Sequence, residues 1–128
     1  MATEIQRRYF EADRFTDAYR EASDQWLARA EALGEHGRHH EAVESYQHAI
    51  ATYPDAGRRA LFCTVADIQR RENDLPGAIS SYEAHLDFAP DDARAWQGLA
   101  AAYIDIGWRE SAAEVTEKAQ QLLINAGG

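Results

Sequence analysis

The sequence predicts an all-α protein, specifically an α-solenoid of three helix-turn-helix repeats preceded by an N-terminal helix. Two observations predict this fold class. One order of landmark residues recurs three times along the chain, and an amphipathic segment precedes the first copy. Recurrence with a period between about 20 and 50 residues is typical of repeat architectures. No segment shows the pattern of a strand.

The first element is the segment of residues 1–22, for which we predict an amphipathic helix. Its apolar side chains fall on one stripe at about 100° per residue: Ile5, Tyr9, Ala12, Phe15, Tyr19 and Ala22. We expect this helix to pack against the first repeat and to close that end of the array. The alternative is that it mediates self-association or lies in a groove of a partner.

Three repeat units follow, at residues 23–56, 59–92 and 93–126. In each unit an aromatic residue is followed by alanine four residues later, by Gly or Asn after eleven, and by alanine after sixteen. The members are Trp26, Ala30, Gly37 and Ala42; Phe62, Ala66, Asn73 and Ala78; Trp96, Ala100, Gly107 and Ala112. Alanine at these points lets two antiparallel helices approach closely, so each unit is predicted to be a helical hairpin.

The boundaries of the hairpins follow from local chemistry. Gly37, Asn73 and Gly107 stand where the first helix of each unit must stop, and Gly and Asn adopt the left-handed conformation of a helix C-terminus at low cost. Pro54 is expected to end the second helix of the first unit. Pro90 does the same in the second unit, where the doublet at residues 91–92 supplies an N-cap for the next helix.

These residues resemble the tetratricopeptide repeat, a helix-turn-helix unit of about 34 residues. The resemblance covers all three units. It implies a platform that binds a protein or peptide segment in a concave groove lined by the first helices of successive units. The matching groove positions are Leu27, Glu31, Cys63, Asp67, Arg70, Arg71, Arg94, Gln97 and Ala101.

The same resemblance leaves the subtype open. One subclass clamps the C-terminal carboxylate of chaperones, but at the corresponding positions only Arg94 preserves the charge, so clamp function is not expected. The small acidic secretion chaperones, with three repeats after a helix, share this layout and are one alternative. A structural oligomer assembled through its exposed ends is another. In the groove, Arg70, Arg71 and Arg94 are expected to select against a basic ligand.

The end of the third unit is predicted to be an oligomer surface. Terminal repeats expose the face that would meet a neighbour unless a polar helix covers it. Only a few residues follow the last predicted helix in this sequence. We therefore expect incomplete cover and a homodimer, with the surface formed by Trp108, Val115, Leu122 and Leu123.

The stretch "GEHGRHHEA" at residues 34–42 is the strongest candidate for a metal site. His36 and His40 are four residues apart, but Gly37 interrupts the helix between them, and His39 adds no convergent geometry. We therefore interpret the stretch as an inter-helix turn and predict no metal. The sequence contains neither a phosphate-binding loop nor a nucleophile elbow. We accordingly expect no catalytic residues, no cofactor and no enzymatic activity.

Composition restricts the partners further. The 128 residues carry a net charge of -9, which would repel a nucleic-acid backbone. The N-terminus lacks the apolar core of a signal peptide, and no stretch approaches the roughly 18 apolar residues of a membrane span. The single cysteine, Cys63, excludes an internal disulfide. We predict a cytoplasmic protein that binds neither nucleic acid nor the membrane interior.

Overall fold

A computed structural model describes the backbone of residues 4–127 and the side chains of residues 15–127. The described residues form seven α-helices and no strand, which confirms the all-α class. Their bounds are α1 Glu4–Glu35, α2 His39–Thr52, α3 Ala56–Arg59, α4 Leu61–Arg71, α5 Leu75–Phe88, α6 Ala93–Ile106 and α7 Arg109–Gly127.

The turns of the three hairpins share one geometry. Gly37, Asn73 and Gly107 all have positive φ, at 74°, 63° and 91°. In each turn the amide of the following residue donates to the carbonyl five residues earlier, as Trp108 N does to Tyr103 O at 2.8 Å. A second bond runs from the amide of the positive-φ residue itself to the carbonyl three residues earlier, as from Gly107 N to Ile104 O. Together the two bonds satisfy carbonyls that the helix end leaves unpaired. The predicted role of these three residues is confirmed.

The helix starts and stops also follow the sequence signals. Asp92 is the N-cap of α6, and its side chain accepts from the backbone amides of Arg94 and Ala95. Asp74 caps α5 by accepting from Gly77 N at 3.1 Å. The helices α2 and α5 each end two residues before a proline, because the residue preceding proline disfavours helical geometry.

The chain divides into two compact units, the first of which is unit 1, Met1–Asp55. Here α1 and α2 form one helical hairpin. Ala30 and Ala42 are completely buried, as expected for residues that set the distance between the helices. The Ser23 hydroxyl donates to the carbonyl of Ala49 at 2.7 Å, which ties α1 to α2.

Unit 2, Ala56–Gly128, contains the other two hairpins, α4–α5 and α6–α7. α5 also packs against α6, so the two hairpins stack side by side in the manner that builds an α-solenoid. The core of this unit is one cluster of buried side chains: Ala66, Ala78, Ile79, Tyr82, Leu86, Ala95, Leu99 and Ala102. Trp96 is half-buried against this cluster, and its Nε1–H donates to the carbonyl of Pro90 at 2.8 Å.

We predicted a separate helix before the first repeat, but the N-terminal segment and the first helix of that repeat form one continuous helix. α1 is a single helix of 32 residues that passes through residues 22 and 23 without a turn. The physical reason is that no Gly or Pro occurs between residues 4 and 33. Of the predicted stripe, Ile5, Tyr9 and Ala12 lie outside the residues whose side chains are described. Phe15 and Tyr19 are exposed. The division into residues 1–22 and 23–126 stays a prediction.

Candidate functional site

A polar groove lies in unit 2 on the first helices of the two stacked hairpins. Asp67, Arg70 and Arg71 line it from α4, and Arg94, Gln97 and Gly98 line it from α6, around a volume of about 500 Å³. Residues three and four apart face the same side of a helix, so the spacing of the α4 residues places them together. Five of the six lining residues are among those that the resemblance assigned to a groove.

Gly98, one of the lining residues, allows a close approach between α6 and the aromatic ring of Tyr82. Tyr82 lies on α5 and is completely buried. A Cβ atom added at Gly98 would lie 2.5 Å from that ring. Only glycine therefore lets the ring pack directly beneath α6. This position explains why a residue that weakens a helix interior stands in the middle of α6.

The Tyr82 hydroxyl contacts two of the charged lining residues, Asp67 and Arg70. It donates a hydrogen bond to Oδ1 of Asp67 and is also hydrogen-bonded to the guanidinium of Arg70. Burial and the hydrogen bond to Asp67 raise the pKa of Tyr82 to about 12. The hydroxyl is thus protonated at neutral pH and remains a donor to the carboxylate. Its bond to Arg70 raises the pKa of that guanidinium, so Arg70 is permanently charged.

The remaining arginines of the groove are solvent-accessible. Arg94 Nη2 lies 3.6 Å from Oδ2 of Asp67, and its side chain is 82 % exposed. Arg71 is exposed, and its Nε donates to the backbone carbonyl of Asp67 at 3.4 Å. Neither contact is a short, well-aligned pair with a carboxylate. Both guanidinium groups therefore keep donors available to a ligand.

The other predicted groove residues do not line this depression. Leu27 and Glu31 belong to α1 in unit 1. Ala101 lies on α6, and Cys63 is half-buried against the core cluster of unit 2. Burial, together with the carboxylates of Asp67 and Asp92, raises the pKa of the Cys63 thiol. This thiol is therefore protonated at neutral pH and is a poor nucleophile.

Only two of the four residues predicted to form an oligomer surface are exposed. Trp108 and Leu123 are exposed, whereas Leu122 is half-buried and Val115 packs against the core cluster. The Trp108 ring contacts the ring of Tyr103 at a centroid distance of 5.6 Å. Two further apolar side chains of α6 and α7 are exposed, Ile104 and Ile124.

The histidine-rich stretch forms the turn of unit 1. His36 follows the end of α1 and its Nδ1 lies 2.7 Å from the carbonyl of Ala32, while His39 and His40 begin α2. Within the described part of the chain, no three His, Cys, Asp or Glu side chains are grouped as a metal site requires. None of the described helices combines the length and apolarity needed to span a membrane.

The sequence did not identify Gly98 and Tyr82 as site residues. Nothing in the sequence neighbours of Tyr82 links it to Asp67, fifteen residues away. A signal for Gly98 was present, since glycine within a predicted helix often has a packing reason. The partner of Gly98 in this packing, Tyr82, lies on another helix and is identified only by the packing of α5 against α6.

Comparison with known proteins agrees with this architecture. The family model described as tetratricopeptide repeat matches residues 26–55 and 93–122. Two solved structures, titled "Crystal structure of MamA" and "Crystal structure of MamA protein", superpose with TM-scores of 0.72 and 0.69 at 20 % and 21 % identity. They match 82 % and 78 % of this chain, which spans 60 % and 54 % of theirs. At this identity the likeness concerns the fold. No curated protein matches the sequence.

Proposed function

This chain belongs to the tetratricopeptide-repeat family, and on that premise we propose that it is a non-enzymatic scaffold that binds a segment of a partner protein in the groove of unit 2. The middle hairpin, α4–α5, lies between the two stretches that match the family model. Because its turn has the same geometry as the other two, we include it as a third repeat.

One observation carries the proposal. Side chains from two first helices, α4 and α6, meet around a single open groove whose donors face solvent. Side chains on separate helices that converge on one concave surface can contact several residues of an extended peptide at once. A groove between only two helices also suits a short segment better than a large folded surface.

The chemistry of the groove favours binding over catalysis. Its lining consists of arginines, one carboxylate, an amide side chain and a glycine, and the thiol of Cys63 nearby has a raised pKa. Covalent catalysis of a hydrolytic or transfer reaction needs an activated nucleophile, usually within hydrogen-bond reach of a base. We accordingly propose a binding role without a cofactor, and the cytoplasmic location stays a prediction.

A peptide-display selection on the purified protein tests this function. Peptides that bind the groove should lose binding to Gln97→Trp, which places an indole among the lining residues. The matched control is Gln47→Trp, the same substitution at an exposed position of α2 in unit 1. We expect the selected peptides to bind the control as they bind the wild type. Peptides that bind both variants equally would place recognition outside the groove and contradict the proposal.

Self-association is a second candidate, because several apolar side chains of the last hairpin, on α6, α7 and the turn between them, are exposed: Ile104, Trp108, Leu123 and Ile124. Contiguous apolar patches larger than a few hundred Å² are uncommon on monomers. Sedimentation velocity over a range of concentrations tests this. We expect a homodimer that Trp108→Glu weakens; a monomer at every concentration would exclude it. No observation on the described residues is specific to the secretion-chaperone alternative.

A further inference from the structure

We propose that the groove of unit 2 recognises an acidic segment of its partner and that Arg70, Arg71 and Arg94 receive the side-chain carboxylates of that segment. This inference rests on the proposed function, since it names the chemistry of the partner that occupies the same groove.

The charge balance of the lining is the first argument. Three arginines stand against one aspartate, which leaves a surplus of two positive charges in the groove. The chain as a whole carries -9. Salt screens charges beyond about 8 Å at physiological ionic strength. The Asp105 carboxylate, outside the lining, also acts on Arg70, but Arg71 and Arg94 are exposed. A carboxylate in the groove is therefore attracted mainly by these two arginines.

The single carboxylate of the lining, that of Asp67, is already engaged by two side chains. Oδ1 of Asp67 accepts from the buried Tyr82 hydroxyl, and Oδ2 faces Arg94 at the long separation of 3.6 Å. Asp67 cannot neutralise all three arginines from this position. Its pairing with Arg94 is loose and solvent-exposed, so an incoming carboxylate can compete for that guanidinium.

The three arginines are divided between the two helices that line the groove. Arg70 and Arg71 lie on α4 and Arg94 on α6, so the positive charges stand on both walls of the groove. An extended segment with several glutamates can contact both walls, whereas a single terminal carboxylate can contact only one site. The arrangement therefore fits acidic side chains distributed along a segment.

Fluorescence anisotropy with defined peptides tests the inference. The probe is a labelled, glutamate-rich peptide capped at both ends, and its twin carries glutamine at every glutamate position. We expect the acidic peptide to bind about tenfold more tightly than the twin, because exposed ion pairs contribute modestly and several must act together. Raising the salt concentration should reduce this difference. Equal binding of the two peptides would overturn the inference.

Two double variants locate the binding. Arg71→Gln with Arg94→Gln removes two exposed groove charges and should weaken the acidic peptide about tenfold. Arg20→Gln with Arg38→Gln removes the same charge from unit 1, where these arginines pair with Asp17 and Glu41, and should leave binding within about twofold of the wild type. Equal losses from both would show that net charge acts without a groove and would overturn the inference.

A gain of affinity makes the test independent of folding defects. Asp67→Asn keeps an acceptor for Tyr82 but removes the competing charge, so the acidic peptide should bind several-fold more tightly. Weaker binding by a variant with an unchanged melting temperature would count against the inference. A further arm uses the glutamine twin with a free C-terminus. If it binds as well as the acidic peptide, a terminal carboxylate is the recognised group and the inference is wrong.

The outcomes separate this inference from the proposed function. Neutral peptides that bind the wild type and lose binding to Gln97→Trp would retain the groove and remove its acidic preference. If no peptide of either composition responds to Gln97→Trp, both proposals fail.

Discussion

The two units use the same hairpin, but their buried side chains make different kinds of hydrogen bond. In unit 1, the buried Ser23 hydroxyl donates to a backbone carbonyl, that of Ala49. In unit 2, buried side chains bond to other side chains across helices. The Ser81 hydroxyl donates to Oε1 of Gln69 at 2.6 Å, and Tyr82 donates to Asp67.

A third bond in unit 2 links its two hairpins. His85 on α5 is almost completely buried, and its Nε2 lies 2.8 Å from Oδ2 of Asp92, the N-cap of α6. His85 thus bonds to the residue that caps the next helix. Together these bonds join α4 to α5 and α5 to the start of α6.

This difference has a consequence for function. A side chain that donates to a backbone carbonyl satisfies its own donor but does not orient a second side chain. A bond between two side chains fixes both, and in the low dielectric of an interior it strengthens the positions of their neighbours. Unit 2 can therefore hold a charged groove in a defined geometry.

The largest effect is expected from Tyr82→Ala. Truncating a fully buried aromatic residue costs about 3–5 kcal/mol of the free energy of unfolding, and this change also removes the donor to Asp67. Chemical denaturation measures it. The matched control in unit 1 is Tyr19→Ala, at an exposed position, for which we expect a change within about 0.5 kcal/mol. Similar values for the two variants would contradict the assignment of Tyr82 to the core.

Two glycine substitutions should have opposite signs. Gly98→Ala forces a methyl group against the buried ring of Tyr82, and overpacking of this kind costs about 1–3 kcal/mol. The better helix propensity of alanine offsets this by at most about 1 kcal/mol. Gly34→Ala, in α1 of unit 1, meets no atom within 4 Å. It should stabilise the protein by about 0.5–1 kcal/mol. Denaturation curves showing stabilisation by both would refute the close approach at Gly98.

The Asp92 bond predicts a dependence of stability on pH. Burial acts to raise the pKa of Asp92, but the hydrogen bonds from His85 and from the amides of Ala95 and Arg94 lower it overall. A carboxyl with a lowered folded pKa stabilises the protein above its unfolded pKa, here 3.8. That contribution is lost as the pH falls through the lower folded pKa.

Asp92→Asn retains an N-cap but removes this titration. We expect a loss of about 1 kcal/mol at neutral pH and a smaller loss than the wild type suffers on acidification. Asp74→Asn, at the cap of α5, is the matched control for replacing an N-cap carboxylate by an amide. Thermal melts between neutral pH and pH 3 make the comparison. If Asp92→Asn and the wild type lose the same stability between neutral pH and pH 3, the role of the Asp92 carboxylate is contradicted.

The smallest effect is expected in the turn of unit 1. Replacing His36, His39 and His40 together by Gln should change the free energy of unfolding by no more than about 0.5 kcal/mol. His40 is exposed and makes a surface contact of 3.3 Å with Glu44, and such contacts contribute little. Elemental analysis provides the second measurement. Stoichiometric zinc in the wild type that is lost in the variant would contradict the interpretation of this stretch as a turn.

Much of the local structure could be predicted from the sequence. Gly37, Asn73 and Gly107 indicated the turns because few residues tolerate positive φ. Asp92 indicated a helix start because its side chain can accept from the first free amides. The helix boundaries depended on neighbours in sequence, and those neighbours were already known. The same holds for the periodic alanines, which predicted the helical hairpins.

The groove was only partly predictable, for a related reason. The resemblance assigned Asp67, Arg70, Arg71, Arg94 and Gln97 to groove positions, and the structure brings these five together. It places Cys63 against the core and adds Gly98. Exposure and lining depend on which atoms of other helices lie nearby, and periodicity alone does not contain that information.

The sequence by itself therefore determined the helices, their turns and the repeat, because these depend on backbone conformation and on side chains within one or two helical turns. Only the tertiary structure decided that Tyr82 reaches Asp67, that Gly98 must lack a side chain, and that His85 bonds the cap of the next helix. The continuation of α1 through residue 22 belongs with the sequence signals, since no Gly or Pro interrupts residues 4–33. Bonds between helices depend on interatomic distances of a few ångströms, which are set when the helices pack and not by their spacing along the chain.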